Sequence, residues 1–321
     1  MQVDFLNLKS QLNRLTNIIV VYGEDDYLRD RAVEQIKSSL NVEFGELNCD
    51  SMRGVTMDEV ISSAVILPFM TGTRFVVVKD YVAPAGHEKS EREKLVAYMK
   101  NPVYTTTLVF SVKTLVSVVD NLEFADYINC KKLDQNALER WVLAFCRKEG
   151  KTISPYNARL IADYCLNDMA RISTEVQKVC FYSGDEITKD DIDLMIEKEN
   201  EVKLYELANE IANKNADMAF KIARNLIDKG TKVYVLVSSV YKTFQRMFYT
   251  VASKGMSQAE MANALGVKPF AITKAREVAQ KFSPVKLKKA VEICAEADEN
   301  LRHSINGNAV INYLILSLIN L

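Results

Sequence analysis

Hydrophobic and polar positions change rhythm along this chain. From residue 18 to about 133, short apolar runs alternate with amphipathic stretches. The runs at 18–22, 43–49, 74–79, 105–112 and 127–132 predict strands. The 3.6-residue periodicity at 27–40, 57–66, 89–100 and 118–125 predicts the helices between them. Ahead of them, Phe5, Leu8, Leu12 and Leu15 recur at helical spacing and predict a short N-terminal helix. Strand–helix alternation predicts a mostly parallel sheet covered on both faces. Arg74-Phe75-Val76-Val77-Val78-Lys79 has the unbroken apolar character of a central strand.

After Leu133 the strand signals stop. Asp134 is a good N-cap for a helix through Trp141 to about residue 148. Ser154-Pro155 pairs an N-cap with proline at the first helical position and starts a helix to about 166. Another runs from about 169 to 182, Gly184 breaks the pattern, and Thr188 caps a short helix to 196. Residues 134–196 therefore read as a small helical domain, and the charged run 197–203 as a hinge. Beyond it only helices are predicted. Leu204, Leu207, Ala208 and Ile211 share one face; Ala219, Ile222, Ala223, Leu226 and Ile227 share another, in a helix that Gly230 ends. Residues 233–251 form a long apolar-rich helix, Ser257 and Glu260 make a capping box, Ser283-Pro284 starts another helix, and 308–321 closes the chain.

Composition narrows the function classes. The 321 residues allow two or three domains. Only 11 Gly and 6 Pro agree with long helices and short loops. A net charge of −1 gives no global field toward nucleic acid or membrane, so any such contact needs a local patch. Six scattered cysteines without a C-x-x-C pair, and only two histidines, argue against a zinc site and for buried thiols in a reducing compartment. The N-terminus lacks signal-peptide character, and no apolar run nears the roughly 20 residues that span a bilayer. The expectation is a soluble cytoplasmic protein with no membrane association.

Three segments carry candidate chemistry. The first is the turn after the strand at 18–22, where strand, Gly23 and a charged helix repeat the frame of a P-loop. A working P-loop needs G-x-x-x-x-G-K-[ST] to cradle phosphates and hold Mg²⁺. Gly23 is followed instead by Glu24, Asp25 and Asp26, with no second glycine and no lysine. Acids there repel a triphosphate, so a turn glycine outweighs a nucleotide site, and neither ATP nor metal is expected. Asp80 reads as a solvated strand end, with Tyr81 where an ATPase would carry its glutamate. The second segment is Leu67-Pro68-Phe69-Met70-Thr71-Gly72-Thr73. Pro68 stops the preceding helix, which leaves Phe69 and Met70 in a turn. Exposed apolar tips mark partner sites; the alternative is that Phe69 folds back on the sheet. The third is the basic stretch 268–289, including Lys268, Lys274, Arg276 and Lys281. With the helix before it, it reads as a helix-turn-helix whose second helix enters a DNA major groove, or as a solvated basic face balanced by Glu292, Glu296, Asp298 and Glu299. No G-x-S-x-G or triad pattern suggests a catalytic residue. His303 reads as a surface group and Trp141 as core or interface.

This order of parts resembles the delta subunit of bacterial DNA polymerase III, the clamp-loader component that opens the sliding clamp. The resemblance rests on Tyr22-Gly23-Glu24-Asp25-Asp26-Tyr27-Leu28, on Leu67-Pro68-Phe69 followed by Arg74-Phe75-Val76-Val77-Val78-Lys79, on Leu108-Val109-Phe110, on Glu175-Val176-Gln177-Lys178, on Ala271 through Ser283-Pro284, and on Glu296-Ala297-Asp298. It implies an α/β plus all-α fold with three domains. These are a degenerate AAA+-type αβα domain over 1–133, a helical lid over 134–198 and an all-helical oligomerisation collar over 199–321. It also implies that Phe69 and Met70, supported by Leu67 and Pro68, wedge into a pocket of the sliding clamp (the beta subunit). The chain would then be a non-catalytic subunit of a DNA-directed DNA polymerase holoenzyme, beside ATPase and delta-prime subunits and primer-template DNA, with Lys268, Lys274, Arg276 and Lys281 contacting DNA or neighbouring subunits. The alternatives left by the residues are a helix-turn-helix DNA-binding protein and a divergent NTPase.

Overall fold

A computed structural model describes every residue except Thr71, Glu199, Lys254, Ser304 and Ile305, together with the side chain of His303. Thr71 of the apolar turn, Glu199 of the charged run and the surface reading of His303 therefore lie outside the described residues. The chain divides into two compact units, residues 1–137 and 138–321.

The first unit is built on six strands, all parallel: β1 (Gln2–Asp4), β2 (Ile18–Tyr22), β3 (Cys49–Met52), β4 (Arg74–Lys79), β5 (Thr106–Val112) and β6 (Asp126–Asn129). Their spatial order is β1-β6-β2-β5-β4-β3. The helices are α1 (Leu8–Gln11), α2 (Asp26–Ser39), α3 (Gly45–Asn48), α4 (Met57–Ala64) and α5 (Glu88–Lys100). Side chains alternate between the two faces of a strand. Ile18, Val20, Val76, Val78, Leu108 and Phe110 bury one face under Met57 and Val60 of α4 and Leu95 and Tyr98 of α5. The intervening Ile19, Val21, Val77 and Val109 are buried on the other face. Burial on both faces is why these strands read as continuous apolar runs rather than alternating ones.

Two expectations change. The segment 43–49 is not a strand: α3 occupies most of it, and β3 starts only at Cys49. Phe44 sits at φ +50°, and the Asn48 side chain donates to the Glu43 carbonyl at 2.9 Å, closing a turn where alternation had suggested extension. The segment 118–125 is not a helix. Its apolar residues Val118, Val119, Leu122 and Ala125 are buried, but the Arg92 guanidinium collects the carbonyls of Ser117 (2.5 Å) and Asp120 (2.6 Å), which a helix would have used internally. The edge strand β1 was not anticipated, because three residues carry too little periodicity to be read.

The second unit is helical: α6 (Gln135–Lys148), α7 (Pro155–Tyr164), α8 (Met169–Tyr182), α9 (Lys189–Met195), α10 (Asn200–Ala212), α11 (Ala216–Asp228), α12 (Val233–Ala252), α13 (Gln258–Leu265), α14 (Pro269–Ala279), α15 (Pro284–His303) and α16 (Gly307–Ile319). Helix α6 starts in the first unit and continues into this one. The strands do not quite stop at Leu133, since β7 (Thr152–Ile153) and β8 (Glu186–Ile187) make a two-residue parallel pair. The predicted caps are in place: Ser154 accepts from the Asn157 amide, Thr188 forms a capping box with Asp191, and Ser257 forms one with Glu260. Leu236, Val240, Phe244 and Met247 of α12 line the centre of a core shared with α10, α11, α14, α15 and α16. The charged run between α9 and α10 is laced rather than loose. Lys198 bridges Asp193 at 3.4 Å and Glu206 at 3.0 Å, and Glu197 pairs with Lys229 at 2.6 Å. Lys274 of α14 reaches Asp163 of α7 at 2.7 Å, and α7 through α16 form one compact unit.

Candidate functional site

The turn after α4 presents the apolar tip that the sequence suggested. Helix α4 starts at a Thr56–Glu59 capping box and ends at Ala64. Leu67, Phe69 and Met70 are 71%, 50% and 79% exposed, and Pro68 is half-buried. Phe69 does not fold back onto the sheet. Met70 stands at φ +54°, a left-handed conformation uncommon outside Gly, Asn and Asp.

Two buried polar residues hold this turn. Asn48, with no exposed surface, grips the main chain of Phe69 from both sides. Its Oδ1 accepts from the Phe69 amide at 2.6 Å and its Nδ2 donates to the Phe69 carbonyl at 3.0 Å. Arg74 is 3% exposed, and its guanidinium donates to the Ser63 carbonyl at the end of α4 (3.1 Å), to the Leu47 carbonyl in α3 (2.9 Å) and to the Asp50 carboxylate. A buried arginine is sustained only by such a full set of acceptors. It ties the last turn of α4, α3 and β3 into one base beneath the tip. Sequence reading took Arg74 as a strand start and missed Asn48. The legible signal was a cation opening an otherwise apolar run; a lone asparagine offers none.

The other end of α4 is fixed by charge. Glu91 is buried, and one carboxylate oxygen accepts from the Met57 amide (2.6 Å) and the Tyr81 hydroxyl (2.6 Å), while Lys94 pairs with the other at 2.9 Å. Burial alone would raise this carboxyl, but the Tyr81, Met57 and Lys94 bonds outweigh it and hold it at about 2. A carboxyl depressed in the folded state contributes stability above its unfolded value near 4.5, and that contribution is lost as pH falls through about 2. Acid titration of the first unit should therefore show a stability loss between about pH 5 and 2. Its share from Glu91 should be on the order of 1–2 kcal/mol after allowance for solvent at the helix end. Glu91→Gln should flatten that slope; an unchanged slope in denaturant melts at stepped pH would count against the assignment.

The Gly23 turn is filled by the chain itself. Gly23 lies at φ +146°, and a Cβ there would overlap the Cys130 carbonyl group and the Lys131 amide. Its amide donates to the Val112 carbonyl at 3.3 Å, and the Asp25 amide donates to the Cys130 carbonyl at 3.3 Å. The N-terminus of α2 is capped by Asp25, whose side chain accepts from the Leu28 amide at 3.0 Å. That carboxylate takes the place an anion would occupy at a helix start. Glu24 is exposed. Burial, then the nearby Asp25 carboxylate, push the Cys130 thiol up to about 12, which makes it a packing group. Asp80 is not merely solvated: it accepts from Arg29 at 3.4 Å and from Arg53.

The basic stretch is only partly available. Helices α13 and α14 meet across Gly266 at φ +62° in a helix-turn-helix arrangement packed on Met261, Ala262 and Ile272. Lys274 is engaged by Asp163 and by Glu277 at 3.0 Å, and Lys281 donates to Asn209 (2.6 Å) and Asn213 (3.0 Å). Lys268 and Arg276 are exposed. The four cations thus do not act together on one free face. Among the described residues there is no group of three or more His, Cys, Asp or Glu side chains suited to a metal, and no helix is long and apolar enough to cross a membrane.

Comparison with known proteins gives a family for most of the chain. Residues 20–139 match the family profile described as DNA polymerase III, delta subunit, and residues 201–318 match that described as DNA polymerase III delta subunit, C-terminal domain. DNA polymerase III subunit delta of Bacillus subtilis (strain 168) is 25% identical over 306 residues, spanning 89% of this chain and 87% of that one. The solved structure titled Bacillus subtilis DNA clamp loader delta protein (YqeN) superposes with a TM-score of 0.72 at 22% identity, covering 99% of this chain and all of that one.

Proposed function

The chain belongs to the delta-subunit family of DNA polymerase III, and on that premise we propose that it grips the ring-shaped sliding clamp through Phe69 and Met70 and holds one ring interface open for loading onto primed DNA. The observation that carries this reading is the exposed apolar tip whose main chain is locked by the buried Asn48. Stability alone gives no reason to place Phe and Met at a solvent-facing turn. A partner pocket does: each side chain can bury roughly 1.5–3 kcal/mol of apolar surface, and ordering the tip beforehand lowers the cost of binding. Binding the open ring better than the closed one is sufficient to shift that equilibrium, so no catalytic residue of this chain is required. The self-filled Gly23 turn supports a subunit without its own ATP or metal site, with energy supplied by ATPase partners and delta-prime. Residues 1–133 act as the clamp-binding domain, 134–198 as the lid, and the helices after 199 as the collar, in a cytoplasmic complex that meets primer-template DNA.

The test is titration of the intact chain with the sliding clamp of its own organism. Affinity in the micromolar range or tighter is the expected result. No binding by the folded chain would remove the proposal. Tight, steeply salt-dependent binding to DNA alone would favour the helix-turn-helix reading, with the exposed Lys268 and Arg276 as its cations.

A further inference from the structure

The apolar tip does not end at Met70. Phe44 and Leu47, in the turn and short helix α3 that replace the expected second strand, are each 54% exposed. The Phe44 ring stands edge-on to Phe69 with centroids 6.2 Å apart and planes at 86°. Hydrogen bonds join the two segments: Asn48, at the end of α3, grips Phe69, and Arg74 joins the Leu47 carbonyl to the end of α4.

Phe44 also sits in a conformation that folding alone disfavours. At φ +50° it occupies the left-handed region, where Asn and Gly are tolerated and a bulky side chain is an outlier. Met70, next in sequence to its ring partner Phe69, is left-handed as well. Two large apolar residues therefore flank Phe69 in unfavourable backbone states with their side chains in solvent. Strain of this kind persists where a site requires it.

We propose that Phe44 and Leu47 form the second half of the clamp-docking surface, so that the partner's apolar pocket receives Phe69 and Met70 while its rim closes over Phe44 and Leu47. The proposal rests on the reading of Phe69 and Met70 as clamp contacts; its occupant is the same ring protein, reached by continuity of the surface. It predicts that the affinity resides in a cluster drawn from two segments rather than in one turn, as in other interfaces whose central apolar anchors support one another.

The experiment measures clamp binding by the full chain as wild type, Phe44→Asn, Phe44→Ser/Leu47→Ser and Phe69→Ala/Met70→Ala, with urea melts of each. Asn is at home in the left-handed region, so Phe44→Asn should fold at least as stably as wild type while binding at least fivefold more weakly, chiefly through faster dissociation. The serine pair should lose more. Wild-type affinity in both Phe44 variants, with binding lost in the Phe69/Met70 variant, would overturn this proposal and leave the clamp reading standing. Undiminished binding by the Phe69/Met70 variant would overturn both. If Phe44→Asn lost stability, and affinity only in proportion to its unfolded fraction, Phe44 would be a structural residue and the proposal would fail.

Discussion

Replacing Phe69 and Met70 together by alanine is expected to weaken clamp binding on the order of a hundredfold while leaving the fold intact. The tip is exposed in the free chain, so truncation removes little that holds the unit together. In the complex the same atoms would be buried. A partial share of the roughly 1.5–3 kcal/mol available to each side chain suffices for a loss near 2.7 kcal/mol, which is that factor in affinity. Exposed surface substitutions otherwise change stability by about 0.5 kcal/mol or less. Binding titrations with matched urea melts separate the two quantities. A variant that binds within threefold of wild type would show that the wedge lies elsewhere.

The largest effect on stability is expected at Gly23. Gly23→Ala would force a Cβ into the Cys130 carbonyl group and the Lys131 amide, both main-chain atoms that cannot swing aside, at a φ that L side chains rarely adopt. Backbone strain of roughly 1–3 kcal/mol and overpacking of similar size together cost about 3–5 kcal/mol, a large fraction of a typical domain's 5–15. Trp141 is the only tryptophan and lies in the second unit, half-buried and stacked on Phe145 with centroids 5.3 Å apart. Its fluorescence reports the surroundings of α6, whereas far-UV circular dichroism reports the helices and strands of both units. The expected signature is a transition shifted to lower urea when followed by dichroism. Melts that superpose on wild type by both probes would mean that the turn relaxes at no cost.

The parts of this fold that were legible in the sequence are those with long, regular patterning. Buried strands such as Ile18–Tyr22 and Arg74–Lys79, and helices with explicit caps at Ser154, Thr188 and Ser257, need little beyond local chemistry to be read. Segments shaped by distant partners were not legible. Residues 43–49 fall where strand–helix alternation calls for a strand, yet Asn48 and Phe44 turn them, and residues 118–125 carry helical spacing, yet Arg92 takes the carbonyls of Ser117 and Asp120. The site divides in the same way. Pro68 announced the end of a helix and thereby placed Phe69 and Met70 in a turn, whereas Asn48 and Arg74 act through space from 21 residues before Phe69 and 11 residues after Ser63. The basic stretch had the right composition for nucleic acid, but the neighbours of Lys274 and Lys281 are only visible once the helices are packed.

Asn48 binds Phe69 by its amide and carbonyl and leaves the ring untouched by hydrogen bonds. The main-chain hold on the turn is therefore independent of which side chain stands at position 69. Mutation at position 69 is free to explore ring sizes and polarities without refolding the loop that carries them. A lineage in which the clamp's pocket drifts can follow it by exchanging one or two tip residues on an unchanged mount. Related chains should accordingly differ more at the tip than at the buried asparagine behind it.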